Sequence, residues 1–201
     1  MRGITDFLQE RIMGRTLYTD ELSYSLENGA LEGVYADQMT FSHLRHSPTG
    51  MQFDLFVVSR ELLYETDGKG GRAGLRKDFS AASLFHYELA RRRSTGAITG
   101  FMRFVSSSLS AVPAEAMASS VLDFRLESDT VLWSEKEVVY RDQPGPGDTH
   151  RPVAFEARCR LFTEDGKARY EYDGVCLDVN PADHSRTPSA SALPKFLSRE
   201  P

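Results

Sequence analysis

A period of two runs through most of this chain. From Thr16 to Val179, apolar and polar residues alternate, and clusters of Asn, Gly, Pro, Asp and Ser break the pattern. Alternation of this kind puts one set of side chains on each face of a β-strand. It predicts strands over 16–27, 31–43, 51–65, 82–91, 97–106, 119–127, 131–141, 153–162 and 168–179. The breaks are turn signals: Asn28-Gly29, Ser47-Pro48-Thr49-Gly50, the glycine-rich stretch Asp67 to Gly74, Gln143 to Gly147, and Asp165-Gly166. Short connections without intervening helices dictate antiparallel pairing of successive strands. Closure protects the edges of so many strands. The expected fold class is all-β, with a short N-terminal helix and a single antiparallel meander β-barrel of about nine strands.

Ile4, Phe7, Leu8 and Ile12 recur at helical spacing before the first strand, with Thr5 or Asp6 placed to cap the helix and Gly14 to end it. A second short helix is predicted within Val112–Ser119, where Pro113 suits a first turn. Beyond Val179 the chain carries four of its nine prolines, with Ser and Ala between them. Disorder is expected there, which divides the chain into a barrel domain at 1–179 and a Pro/Ser-rich tail at 180–201.

Composition narrows the partners. With 40% hydrophobic residues, 201 residues are enough to bury one core. A net charge of −5 argues against strong non-specific affinity for nucleic acid or anionic membrane. No apolar run approaches the roughly 18–20 residues of a membrane helix, and the opening MRGITDFLQE lacks the run of a secretory signal.

Hairpin registers test the barrel more sharply than propensity does. A two-residue type I′ turn at Asp165-Gly166 makes facing positions total 331. Phe155, Ala157, Cys159 and Leu161 then face Cys176, Gly174, Tyr172 and Tyr170. The other side opposes Arg158 to Asp173 and Arg160 to Glu171. This register leaves the two cysteines about 13 Å apart, too far for a disulfide. A reduced, cytoplasmic protein is therefore expected. The same reasoning at Asn28-Gly29 makes facing positions total 57. Asp20 then faces Asp37 on the apolar side, among Tyr18, Tyr24 and Tyr35. Two carboxylates close in a poorly solvated interior repel, so one keeps its proton and the pair can divide acid and base roles. A place in water at the barrel mouth, or a bulge, is the plainer alternative.

Other residues carry two readings each. In Ser83 to Leu89, an inward aromatic face leaves His86 and Glu88 in solvent, whereas the reverse order makes them an acid–base pair inside. Alternation puts Trp133, Glu135 and Glu137 on one side, with Trp133 either a core plug or a cavity wall. Arg103, within the apolar run Phe101 to Val105, either binds an anionic ligand or points outward. His43 and His46 resemble a metal pair, but no third ligand completes them, so no metal is expected. Gly68-x-Gly70-x-x-Ala73 imitates a dinucleotide fingerprint without the helix that must follow, and reads as a loop over the barrel mouth. No cofactor is expected, and no activated nucleophile is visible.

A helix followed by a nine-stranded meander resembles a lipocalin-like (calycin) barrel over residues 1–179, in architecture. The resemblance implies a lumen for a small guest. Some barrels of this shape are cofactor-free cyclases or isomerases of natural-product pathways, and an Arg preference of 19 to 5 over Lys suggests a GC-rich bacterial genome where such pathways are common. The expected function is a cofactor-independent cyclase, isomerase or lyase acting on an apolar or aromatic small molecule. Asp20, Asp37, His86 and Glu88 are its candidate catalytic groups, and Tyr24, Tyr35, Trp133, Tyr172 and Arg103 its candidate binding residues. The alternatives are a barrel that only binds a small molecule, lipid or chromophore, and one filled by its own Phe and Tyr side chains. A homodimer is compatible with all three, and the substrate is not legible in the residues.

Overall fold

A computed structural model of the protein describes residues 1–24, 31–66, 72–108, 118–139, 153–180, 182–183, 185–188 and 196–201. Within these strands, the side chains of 20–24, 31–35, 61, 63–66, 72–73, 75–79, 107, 118, 137–139, 153, 155, 176, 178–179 and 196 are left undescribed. Helix α1 (Arg2–Arg11) precedes nine long strands: β1 (Thr16–Tyr24), β2 (Leu31–His46), β3 (Gly50–Thr66), β4 (Arg72–Arg91), β5 (Ile98–Ser107), β6 (Ala118–Glu127), β7 (Thr130–Val139), β8 (Val153–Glu164) and β9 (Lys167–Val179). Each pairs antiparallel with the next, as the alternation and short turns require. The expected helix within Val112–Ser119 falls mostly outside the described residues, and Ala118 and Ser119 belong to β6.

The ring does not close by pairing β9 to β1 directly. Strand β11 (Phe196–Arg199) inserts between them, pairing Phe196 to Arg199 with Tyr172 to Arg169 and setting Arg199 opposite Tyr18. Ten strands thus form a closed antiparallel barrel. Strand β10 (Arg186–Pro188) pairs with the other end of β9. The tail expectation is corrected on this point: these two segments belong to the sheet. Backbone pairing and inward anchors outweigh the proline content. Ser198 is fully buried, and its hydroxyl bonds to Thr19 and donates to the Met39 sulfur at 3.0 Å. The Glu200 carboxylate accepts from the Ala168 N–H at 2.9 Å and from Arg15 at 2.7 Å.

The β8–β9 hairpin has the expected register along its whole length, from Glu164 opposite Lys167 to Val153 opposite Asp178. Asp165 and Gly166 have φ of 52° and 75°, the left-handed pair that a type I′ turn demands. Ala157, Cys159, Leu161 and Tyr170 are buried on one side, while Arg160 reaches Glu171 at 2.8 Å on the other.

The β1–β2 hairpin differs from expectation. Tyr24 pairs with Leu31, a register irregularity follows, and from Ser23 downward facing positions total 56. Asp37 therefore faces Thr19, and Asp20 pairs with Ala36. A one-residue slip exchanges the faces of a strand, so the two acids do not oppose each other.

Helix α1 closes one end of the barrel, where Ile4, Phe7, Leu8 and Ile12 join the core. No side chain caps its start. Thr5 is buried and its hydroxyl donates to the Arg2 carbonyl at 2.9 Å. Gly14, at φ 76°, ends the turn, and its N–H donates to the Phe41 carbonyl at 2.8 Å. Among the described residues, no helix is long and apolar enough to cross a membrane.

Candidate functional site

Above the helix, the lumen is filled by aromatic rings. Phe53 stacks on Tyr87 with centroids 4.7 Å apart, and Trp133 stacks on Tyr170 at 5.9 Å. Phe124 lies 5.3 Å from Trp133 and 6.1 Å from Phe53, and Phe41 meets Tyr170 edge-on at 5.6 Å. Phe124 reaches this layer because β6 carries a bulge. Asp123 takes φ 54° and the β6–β7 register shifts between Leu122 and Arg125. Val121 and Phe124, three residues apart, are consequently both buried.

One carboxyl tops this layer. Glu135 follows Trp133 on the inward face of β7 and sits opposite Val121 of β6 and Ala157 of β8. The Tyr87 hydroxyl and the Trp133 indole N–H both donate to Glu135 Oε1, each at 2.8 Å. Burial raises the Glu135 pKa against the pull of these two bonds. Among the described residues, no hydrogen bond reaches Oε2. Nearby groups are poor acids: burial, then the Glu135 charge, push the Tyr87 hydroxyl and the Cys159 thiol well up, and burial does the same to Tyr170. Cys159 is a free buried thiol that accepts from the Tyr170 hydroxyl at 3.6 Å, so it behaves as a small apolar residue with one weak bond.

Ser119 adds an unmatched group on the same wall. It is 2% exposed, lies two residues from Val121 on the inward face of β6, and among the described residues its hydroxyl has no hydrogen-bond partner. On β9, the Tyr172 ring folds over Gly174, where an added Cβ would lie 2.7 Å from the ring.

The structure divides the candidates named from the sequence. Trp133, 3% exposed, and Tyr172 belong to the inner wall, and Trp133 is both core plug and hydrogen-bond donor. Asp37 is partly buried and lies two positions along β2 from the buried Met39. The side chains of Asp20, Tyr24 and Tyr35 lie outside the described residues. His86 and Glu88 are on the outer face, because Tyr87 and Leu89 are the inward residues of β4. Their reading as an internal acid–base pair is corrected. His86 Nδ1 bonds Asp54 Oδ1 at 2.7 Å, and the second carboxylate oxygen holds His43 Nδ1 at 2.9 Å. Arg103 also points outward, 3.8 Å from Glu88 with both side chains exposed. Among the described residues, no cluster of three or more His, Cys, Asp or Glu side chains is arranged to hold a metal.

Glu135 and Ser119 were not among the sequence candidates. The alternation of Val131 to Glu137 did carry a signal for Glu135, since it put a carboxyl on the same side as Trp133. Ser119 had none, because a serine in a strand is ordinary until its hydroxyl is found without a partner. The chain matches no protein-family model, and no curated protein or solved structure matches it significantly.

Proposed function

We propose that this protein is a cofactor-independent cyclase, isomerase or lyase whose apolar or aromatic substrate sits in the lumen beyond the aromatic layer, in the manner of a lipocalin-like barrel. The observation that carries the reading is Glu135: a carboxyl on an inward face, anchored through one oxygen and held toward its neutral form by burial. A carboxyl so placed is a general acid, and the surrounding rings fix a flexible guest in a reactive shape. Asp37, partly buried and on the same face of β2 as the buried Met39, is the candidate base.

Carriage without chemistry is the second reading. It is favoured by the raised pKa values of Tyr87, Cys159 and Tyr170, none of which is thereby activated as a nucleophile. Native mass spectrometry of freshly purified protein tests both: a retained mass that is released on denaturation is expected. Incubating that released compound with wild type and with Glu135→Gln separates them. Conversion by the wild type alone supports the enzyme, and conversion by neither supports the carrier. Protein at its bare mass that takes up no aromatic probe would overturn both.

A further inference from the structure

Glu135 and Ser119 lie near one another on the inner wall, and among the described residues neither Glu135 Oε2 nor the Ser119 hydroxyl has a hydrogen-bond partner. Val121 pairs directly with Glu135, and Ser119 lies two residues further along the inward face of β6. This is a diagonal cross-strand relation, with centres roughly 7 Å apart. A buried hydroxyl without a partner forfeits hydrogen-bond energy that a guest can return.

The bonding of Glu135 fixes which oxygen is free and what it offers. Tyr87 and Trp133 are both donors, and both act on Oε1. When the carboxyl is neutral, Oε1 must therefore be the acceptor oxygen, and the proton sits on Oε2. No lysine or arginine is among the buried residues described, so an anionic guest would lack a counter-charge.

We propose that Glu135 and Ser119 form a two-donor seat for a single ligand oxygen, and that the guest is a neutral aromatic ketone or enone whose carbonyl lies between β6 and β7. This inference rests on the reading of the lumen as a guest site and names the chemistry that the site selects. Two donors on one oxygen polarise the carbonyl and stabilise negative charge as it develops there, which suits isomerisation or cyclisation through an enol.

Three compounds with one ring system test it: 2-acetylnaphthalene, 2-ethylnaphthalene and 1-(2-naphthyl)ethylamine. Binding to the full chain is measured by titration calorimetry over a pH series that runs upward from the ordinary carboxylate value of about 4.3. The ketone is expected to bind about 30-fold more tightly than the hydrocarbon, as two modest hydrogen bonds require. Its affinity should fall as pH rises. Ser119→Ala should weaken the ketone about fivefold and leave the hydrocarbon unchanged. Glu135→Gln should retain ketone binding and lose its pH dependence, because the amide carbonyl takes the place of Oε1 and the amide N–H₂ that of Oε2.

Equal binding of ketone and hydrocarbon would overturn the seat, leaving Ser119 to a water molecule. Preferential binding of the amine, strengthening with pH, would overturn it in favour of a carboxylate counter-ion. Both results would leave the guest site standing. If none of the three compounds binds, the guest site fails along with the seat.

Discussion

The two ends of the barrel follow different rules. At the helix end, Leu17, Phe41, Met51, Phe53, Leu89, Val131 and Leu161 fill the lumen and α1 seals it. One layer further on, the same wall carries Asp37, Ser119 and Glu135, groups that an interior tolerates only with partners. Cohesion is thus concentrated at one end, and the polar groups of the wall lie beyond it. A barrel whose stability is concentrated in part of its length tolerates an unsatisfied hydroxyl elsewhere.

Substitutions at the two ends should have unequal effects. The largest effect is expected at Phe53, fully buried between Tyr87, Phe41 and Phe124. Phe53→Ala should cost about 3–5 kcal/mol in urea denaturation. A cost near that of a surface substitution would show that the aromatic layer does not hold the barrel.

An intermediate effect is expected at the closure strand. Glu200→Ala should cost no more than about 1 kcal/mol, because the pair with Arg15 is only partly shielded from solvent. Its pKa is lowered, first by the Ala168 N–H and then by Arg15. The folded state therefore favours the ionised form. This stability is present above the ordinary carboxylate value of about 4.3 and is lost as pH falls through the lowered one. Glu135 has the opposite sign. Its raised pKa contributes stability below the ordinary value, and that contribution fades as pH rises through the raised one. Acid should thus loosen β11 while protecting the wall at Glu135. Hydrogen exchange at Ala168 and at Glu135, followed against pH, should move in opposite directions.

The smallest effect, and the most diagnostic, belongs to Ser119. Ser119→Ala removes a buried hydroxyl that has no partner among the described residues, so the folded state should gain up to about 1 kcal/mol. A loss of stability would mean that the hydroxyl is already satisfied and would remove half of the proposed seat.

The two hairpins show how far residues alone can be read. At Asp165-Gly166 both turn residues accept positive φ, and opposite charges occupy facing positions, so turn chemistry and pairing chose one register. At Asn28-Gly29 the flanking residues contain no comparable charge ladder. An irregularity beside Tyr24 was enough to move every pair by one and to part Asp20 from Asp37. Tyr87 illustrates a different limit. Alternation put it on one face with Phe85 and Leu89 and left open which face points inward, and its bond to Glu135 joins residues 48 apart in the chain, beyond the reach of any periodicity.

What the residues determined by themselves is local: a helix followed by the turn that Gly14 ends, the order of nine strands with bounds close to those observed except for β4, which begins at Arg72 and not at 82, and one hairpin in register. These depend on side-chain alternation and turn conformations, which act over a few neighbours. Closure by β11 and the meeting of Glu135 with Tyr87 and Trp133 were decided only in three dimensions. Ser198 reaches Thr19 across 179 positions, and such a contact forms only where the surrounding strands have already set the distance.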